Sequence, residues 1–391
     1  MDETLRQVFK ATRLAMNQSL FKDEVKHPRK FYIIAREHGL SGTLYPYLKS
    51  DTLEEKVKSA FKRDFQFYTQ RDTFQMTVKD VLKTLFDTHA INHVFLKGAK
   101  LKTLYPESFM RSMGDIDILV EEGSMKDVHK VLKENGFTVE HLSDQHDVFV
   151  HPNETRVEVH PRLYKRVHDK YDDLFEDVWA HTFLESGHTY SLSPSFELTY
   201  LLYHIVKHFY GSGVGFRFFL DIGVYLDHTK KTLDLSKLET FLKKGNLGVF
   251  FETVLTLNKT YFGYDPLPDW RKRSPLDDQS TEKLTEFILR QGIHSSGHDA
   301  NQFESQIAAQ SLKGTSKTRF LFSKLFPSYN AMKGMYPSLK RVPFMLPVYW
   351  ITRLLKKSLF TRKTSLEKLR KFESAKESTN QTGELFKRIG L

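Results

Sequence analysis

The sequence of 391 residues contains no cysteine. This absence excludes a disulfide framework, thiolate zinc sites and a cysteine nucleophile, and it fits a reducing compartment. Long apolar stretches are absent too, since no window reaches the roughly 18 uninterrupted apolar residues that a transmembrane helix needs. Residues 1–6 lack the apolar stretch of a signal peptide and are typical of the start of an amphipathic helix. We therefore expect a soluble, cytoplasmic protein.

Acidic residues are scarce in one segment, residues 313–371, which holds 15 Lys and Arg but a single acid, Glu367. The net charge of the whole chain is +11, so this segment accounts for all of the excess. Apolar and aromatic side chains are mixed with the basic ones near residues 345–360. The pattern suits docking onto the acidic body of the same protein, which we prefer, or contact with RNA or with an anionic membrane surface.

Periodicity predicts an α+β fold, in which a small mixed β-sheet is embedded in a mainly helical protein. We assign residues 1–90 to an N-terminal helical region, 91–165 to an α/β core, 166–312 to a C-terminal helical domain and 313–391 to the basic segment. The composition of the last twenty residues indicates disorder there. Apolar positions in residues 53–89 recur at helical intervals and are expected to be buried: Val57, Phe61, Phe65, Phe67, Val78, Val81, Leu82 and Leu85. The five predicted strands of the core lie near residues 93–96, 116–120, 137–141, 147–151 and 156–160.

Two aspartates, Asp115 and Asp117, stand at the start of the second of these strands. Because side chains alternate along a strand, the two carboxylates share a face, about 6.6 Å apart at Cα, while Ile116 and Ile118 face the core. Paired carboxylates repel each other, and a divalent cation relieves the repulsion. They can also bridge two ions about 3.5–4 Å apart, as in two-metal phosphoryl transfer. Oxygen ligands favour Mg²⁺, or Mn²⁺. The alternative is a solvated pair of aspartates at a strand end.

Features that suit phosphate binding precede the aspartates. The strand at 93–96 runs into Lys97 and Gly98 and then into a helix, and backbone N–H groups at such a junction can hold a phosphate. Lys97 and Arg111 add cationic donors.

A third carboxylate, Glu158, is supplied by the strand at 156–160. Glu140 and Asp147 are the rival acids for its role. His160 lies two residues beyond Glu158 and shares its face, so it can orient Glu158 or contact an acceptor.

Three motifs carry a family resemblance: Leu96-Lys97-Gly98-Ala99, then Arg111 with Gly114-Asp115-Ile116-Asp117-Ile118-Leu119-Val120, and finally Val157-Glu158-Val159-His160. Their order resembles the DNA-polymerase-β-like nucleotidyltransferase superfamily, and more narrowly the bacterial family of uncharacterised nucleotidyltransferases. The resemblance extends over most of residues 90–355. Two positions depart from the superfamily pattern: Ala99, where Ser or Gly is usual, and Glu158, where Asp is common.

The resemblance implies a nucleotidyltransferase core and a metal-dependent enzyme. Such an enzyme transfers a nucleoside monophosphate from a nucleoside triphosphate to a hydroxyl group and releases pyrophosphate. Asp115, Asp117 and Glu158 would act as catalytic metal ligands. The residues implied to bind the nucleotide in this part of the chain are Lys97, Gly98, Arg111 and Gly114.

The helical half offers further candidates. His204 and His208 lie four residues apart, a spacing that can bind zinc, but no third ligand is evident. We predict instead that this helix lines the cleft, with Lys207 and His208 near the nucleotide; plain packing is the alternative. Arg217 and Asp221, also four apart, form either a structural pair or an acceptor-binding pair.

The acceptor defines the competing hypotheses. A small-molecule hydroxyl is preferred. A protein or tRNA acceptor is supported by the basic segment alone. A non-catalytic nucleotide-binding or scaffold protein on the same fold is the third hypothesis, for which Ala99 is weak support. The sequence names neither the nucleotide nor the acceptor.

Overall fold

The computed structural model describes residues 1–49, 53–143, 145–164, 171–211, 213–272, 276–292, 322–323, 325–355 and 376–391. The chain divides into two compact units, Met1–Ile205 with Val214–Ile293, and Val206–Gly213 with His294–Leu391. Much of the basic segment 313–371 lies outside the described residues, so its role and the four-part division of the chain stay predictions.

Helices form most of the first unit. They include α1 (Glu3–Met16), α2 (Pro28–Glu37), α3 (Ser41–Leu44), α4 (Glu55–Thr88), α5 (Lys97–Leu101), α6 (Met125–Glu134), α7 (Asp172–Phe175), α8 (Pro194–Tyr210, with its last residues in the second unit), α9 (Phe216–Thr229), α10 (Leu235–Lys244), α11 (Gly248–Phe262), α12 (Pro268–Arg271) and α13 (Asp278–Gln291). Aspartates cap several of them: Asp2 accepts from the N–H of Leu5 at the start of α1, and Asp277 accepts from that of Ser280 at the start of α13. The first and last helices of this unit therefore begin where the sequence provides a local N-cap.

One mixed sheet lies among these helices. Its strands are β1 (His93–Phe95), β2 (Ile116–Val120), β3 (Thr138–His141), β4 (Asp147–Val150), β5 (Arg156–His160), β6 (Thr182–Ser186) and β7 (Thr189–Leu192), in the spatial order β3-β4-β5-β2-β1-β7-β6. Strand β2 is antiparallel to β1 and parallel to β5. The predicted α+β class is confirmed, and all five predicted strands are present.

The hairpin of β6 and β7 was not predicted, because residues 166–312 were assigned to a helical domain. Most side chains of β6 are exposed, so the strand lacks a buried alternating face. Its turn is held from a distance instead: Asp87, at the end of α4, accepts a hydrogen bond from the N–H of His188 at 2.7 Å. Strand β7 then pairs parallel to β1. Long-range contacts, rather than local pattern, therefore define this hairpin.

Helix α4 runs unbroken through residues 55–88 and packs on one face of the sheet. The core there combines the following side chains of α4, β2 and α6: Val78, Leu82, Phe86, Ile116, Ile118, Val120, Val128, Val131 and Leu132. The prediction that Ile116 and Ile118 face the core is confirmed. Two members of the predicted apolar stripe are exposed, Phe67 by 54% and Val81 by 36%, because the far side of so long a helix does not meet the sheet.

The second unit includes helices α14 (Tyr329–Met335) and α15 (Lys376–Arg388). The indole N–H of Trp350 donates to the carbonyl of Pro327 at 2.9 Å, and Phe386 of α15 contacts the ring of Phe209. Helix α15 lies where composition had indicated disorder. Within the described ranges, no helix combines the length and the apolar character that crossing a bilayer requires.

Candidate active site

The three predicted carboxylates come together at one side of the sheet. Asp115 immediately precedes β2, and Asp117 is its second residue. In the parallel pairing of β2 with β5, Asp117 stands directly opposite Glu158. Asp115 interacts electrostatically with both acids, because after burial the charges of Asp117 and Glu158 raise its pKa. Neighbouring strands thus supply the acidic group, on the face of β2 opposite to the α4 core.

Lys97 completes the group with a positive charge. It follows β1, where the N–H of Leu96 donates to the carbonyl of Asp117 at 3.0 Å, so strand pairing places it beside that aspartate. The Lys97 ammonium donates to Asp117 Oδ1 at 2.6 Å. Its backbone adopts a positive φ of 45°, a conformation that is unfavourable for a residue with a side chain. Such strain is typical of positions that the surrounding structure holds for function.

Two histidines flank Glu158. Nε2 of His160 lies 2.9 Å from Asp117 Oδ1 and 3.6 Å from Glu158 Oε2, so His160 contacts both acids, in line with the prediction that it orients Glu158. Nε2 of His146 lies 3.8 Å from Glu158 Oε1. His146 was missed, although the antiparallel pairing of Asp147 with Val159 places it opposite His160.

The pKa values of Asp115 and Asp117 are shifted in opposite directions by their surroundings. Burial, followed by the nearby charges of Asp117 and Glu158, raises the pKa of Asp115 to about 7. Burial would also raise the pKa of Asp117, but Lys97 and the hydrogen bond from His160 hold it well below its usual range. Opposite pKa shifts in adjacent carboxylates are a common property of catalytic sites.

Glu158 and Lys97 are kept charged. Burial opposes the charge of Glu158, yet the imidazole of His160, whose Nε2 lies 3.6 Å from Glu158 Oε2, leads the effects that lower its pKa. Burial likewise opposes the charge of Lys97, but the carboxylate of Asp117 raises the pKa of its ammonium. Tyr200 of α8, which sequence patterning did not single out, is buried close enough to interact with both Lys97 and Asp117, and its pKa rises to about 12, mainly through burial.

Arg111 forms a buried ion pair with Asp221. The arginine as a whole is 6% exposed, and its Nε and Nη2 donate to the two carboxylate oxygens of Asp221 at 3.2 and 3.0 Å. The hydroxyl of Tyr105 also donates to Asp221, at 2.7 Å. The guanidinium is therefore engaged in a buried ion pair, with Nη1 close to Gly98, and its predicted phosphate contact stays a prediction. Arg217, the predicted partner of Asp221, donates to the carbonyl of Ser112 at 2.7 Å instead.

The loop before Asp115 is held by α4 as well. Nη2 of Arg71 donates to the backbone carbonyl of Gly114 at 2.5 Å. The side-chain amide of Gln75 donates to the backbone carbonyl of Met113 at 3.0 Å. Together with the bond from Arg217 to Ser112, these contacts fix the backbone of residues 112–114 from two separate helices. The position of Asp115 consequently depends on residues outside the sheet.

The two predicted phosphate-binding glycines differ in their surroundings. A Cβ at Gly98 would lie 2.4 Å from Nη1 of Arg111 and 2.7 Å from Sδ of Met113, so any other residue there would require these two side chains to move. A Cβ at Gly114 would meet nothing within 4 Å, and this residue is exposed. The structure thus explains Gly98 by packing, and the predicted phosphate contacts of both glycines stay predictions.

The remaining candidates are two residues of the second unit and two acids of the sheet. Lys207 and His208 are among the last residues of α8, in the second unit. Nδ1 of His208 lies 3.0 Å from the carbonyl of Gly213. The nucleotide contacts of Lys207 and His208 stay predictions.

Of the rival acids, Glu140 pairs with Arg156 at the surface, and Asp147 lies 2.7 Å from Nε2 of His129. Neither joins Asp115 and Asp117, which leaves Glu158 as the third acid. Within the described ranges, donor atoms close enough to share a metal ion belong to His146, Glu158 and His160, and neither His204 nor His208 is part of that group.

The donor set fits a divalent cation. Three carboxylates gather in a partly buried place, where burial and then their mutual repulsion raise the pKa of Asp115. Carboxylate oxygens are the ligands that Mg²⁺ and Mn²⁺ prefer. Lys97 acts to lower the pKa of all three acids but leaves that of Asp115 raised, and a cation at this position would offset the remaining repulsion.

Comparison with known proteins gives one match. A family model described as an uncharacterised nucleotidyltransferase matches residues 24–263, more than half of the chain. The matched range includes the three acids, Lys97 and the helices that hold the loop before Asp115. No curated protein and no solved structure matches this chain.

Proposed function

We propose that this chain, which belongs to the family of uncharacterised nucleotidyltransferases, transfers a nucleoside monophosphate from a nucleoside triphosphate to a hydroxyl of a small-molecule acceptor. Family membership supports nucleotidyltransferase activity in general. The observation that carries the finer proposal is the convergence of Asp115, Asp117 and Glu158 beside the ammonium of Lys97.

In this proposal, Asp115, Asp117 and Glu158 hold Mg²⁺, for which Mn²⁺ can substitute. When bound, the metal would supply positive charge that neutralises the triphosphate and polarises the phosphoryl group. The pKa of about 7 at Asp115 means that this carboxyl keeps a proton near neutral pH until a cation favours its charged form.

The residues of the chain would then act on the two substrates. The acceptor hydroxyl oxygen forms a bond to the α-phosphorus, the bond from that phosphorus to its β-bridging oxygen breaks, and pyrophosphate leaves with the electron pair. The hydroxyl proton passes to Glu158. Lys97 lies beside these acids and would stabilise negative charge on the phosphates. His160 orients Asp117 and Glu158 from the side of β5.

The test is a transfer assay with the full chain. ATP, GTP, CTP and UTP, each labelled at the α-phosphate, are incubated with Mg²⁺ and a panel of hydroxyl acceptors, and both label transfer and pyrophosphate release are measured. We expect Asp117→Asn and Glu158→Gln to abolish transfer, while Glu140→Gln, a matched change at an exposed acid, keeps it. Transfer that survives in an Asp115→Asn/Asp117→Asn variant would overturn the metal-site proposal. Label that appears only on protein or tRNA would overturn the small-molecule acceptor.

A further inference from the structure

A second group of possible metal ligands lies at the edge of the carboxylate site. One donor atom each from His146, Glu158 and His160 lies within 4.8 Å of the other two. Strand geometry creates the group: β4 pairs antiparallel with β5, so His146, just before β4, faces His160 at the end of β5, and Glu158 lies two residues away on the same face.

We propose that His146, Glu158 and His160 form a binding site for a divalent transition-metal ion, with Zn²⁺ as the best fit. Two imidazoles and one carboxylate are a ligand set typical of zinc, and three protein ligands leave a fourth position open. Mg²⁺ prefers oxygen ligands alone. The two overlapping groups therefore differ in their chemistry: the three carboxylates favour Mg²⁺, whereas the histidine-bearing group favours Zn²⁺.

The distances suit this assignment. Zinc-to-ligand bonds of about 2.0–2.2 Å in a tetrahedron place neighbouring donor atoms about 3.3–3.5 Å apart. In the structure, Nε2 of His160 lies 3.6 Å and Nε2 of His146 lies 3.8 Å from the carboxylate oxygens of Glu158. The two distances run to different oxygens of Glu158, and the three donor atoms lie within 4.8 Å of one another, so metal binding would draw the two imidazoles toward one shared position. His146 and Glu158 are partly exposed, by 24% and 19%, so an ion can reach them.

Metal binding at this group would break the hydrogen bond between His160 and Asp117 but would not leave the buried carboxylate of Asp117 without a partner. Nε2 of His160 lies 2.9 Å from Asp117, and a metal bound at that nitrogen would replace its proton. Asp117 would keep its second partner, because the ammonium of Lys97 lies 2.6 Å from the same oxygen. The carboxylate of Asp117 thus stays compensated when His160 is taken.

Shared use of Glu158 has a functional consequence that rests on the proposed function. A Zn²⁺ ion bound between His146 and His160 would take Glu158 from the carboxylate group that we assign to Mg²⁺. Zinc should therefore inhibit nucleotidyl transfer, and a chelator should restore the activity. Inhibition should weaken as Mg²⁺ is raised, because the two ions compete for one carboxylate.

The binding test uses the metal alone and needs no activity. The full chain is titrated with Co²⁺, whose visible absorption reports a site of low coordination number, and then with Zn²⁺ by calorimetry. We expect one equivalent to bind, and His146→Gln and His160→Gln each to weaken binding at least about tenfold. His141→Gln, at an exposed histidine of β3, is the matched control and should bind as the original chain does. Circular dichroism checks that each variant is folded.

Two binding results would overturn the site: no stoichiometric binding by the original chain, or unchanged binding by a folded His146→Gln variant. The activity arm compares the ratio of inhibited to uninhibited rates at one zinc concentration. We expect His146→Gln to lose zinc sensitivity, and equal sensitivity in this variant would overturn the sharing of Glu158. A chain that binds one Co²⁺ through His146 but shows no transfer would support the site and count against the proposed function instead.

Discussion

Replacing Arg111 by methionine is expected to destabilise the first unit by about 3–5 kcal/mol, the usual cost of removing one partner of a buried ion pair. The side chains of Arg111 and Asp221 are only 7% and 5% exposed, and the guanidinium makes two hydrogen bonds to the carboxylate. In the variant, Asp221 keeps the bond from Tyr105. Its charge would then be compensated only by Arg217 nearby, so we expect a loss toward the lower end of that range.

Urea unfolding measures this loss. A Trp350→Phe background leaves Trp179 and Trp270, both in the first unit, so their fluorescence reports on that unit alone. The matched control is Arg156→Met, which removes an arginine from a surface pair with Glu140 whose members are 49% and 45% exposed. Because exposed pairs contribute about 0–1 kcal/mol, this control should barely change the free energy of unfolding.

A double variant makes the test sharper. Asp221→Leu removes the acid that Arg111→Met leaves unpaired, so the double change should cost less than the sum of the two single changes. If Arg111→Met costs under about 1 kcal/mol, like the surface control, the structural role of this pair is wrong. A folded Arg111→Met variant of unchanged stability but weakened triphosphate binding would return Arg111 to the phosphate-binding role suggested by its sequence position.

Three further predictions concern single positions. Gly98→Ala should destabilise the protein by about 1–3 kcal/mol through overpacking, whereas Gly114→Ala, where a Cβ meets nothing, should leave the melting temperature within about 2 °C; thermal unfolding compares them. Asp115 has a raised pKa of about 7, so between its ordinary value and 7 the folded state binds the extra proton, and stability from this group falls as pH rises. Asp115→Asn should therefore be more stable than the original chain above pH 7 in a chelator, and an equal or lower unfolding free energy there would contradict the shift. Burial lowers the pKa of His38 to about 3, so the stability that this neutral imidazole contributes is present above pH 6.5 and is lost as pH falls toward 3. His38→Asn should therefore flatten the curve of unfolding free energy against pH between 3 and 6.5. An unchanged slope in this variant would contradict the lowered pKa of His38.

Local patterns were sufficient to predict strands β1 to β5 and the face on which each acid lies. Alternation along β2 placed Asp117 on one face and Ile116 and Ile118 on the other, because the period of a strand is fixed by its backbone. The same rule placed Glu158 and His160 together. What the sequence could not provide was the register of β2 against β5, which brings Asp117 opposite Glu158.

Features that depend on distant contacts were not predictable. Arg111 and Asp221 are 110 residues apart, and nothing near either one indicates its partner. The spacing of Arg217 and Asp221 instead suggested a pair within α9, but the packing of that helix turns the two side chains to different partners. His146 was overlooked for a related reason: it precedes its strand, so only the pairing of β4 with β5 shows that it faces His160.

The attachment of the loop before Asp115 to α4 and α9 determines how small a fragment could still carry the candidate site. A fragment trimmed to residues 91–165 would retain the three acids but lose Arg71, Gln75 and Arg217, which fix the loop backbone. It would also lose β7 and so leave one edge of β1 unpaired, a template for self-association. The smallest fragment that keeps both the acids and the residues that hold their loop is therefore discontinuous in sequence. Grafting the centre onto another scaffold would require copies of both helices as well as the sheet.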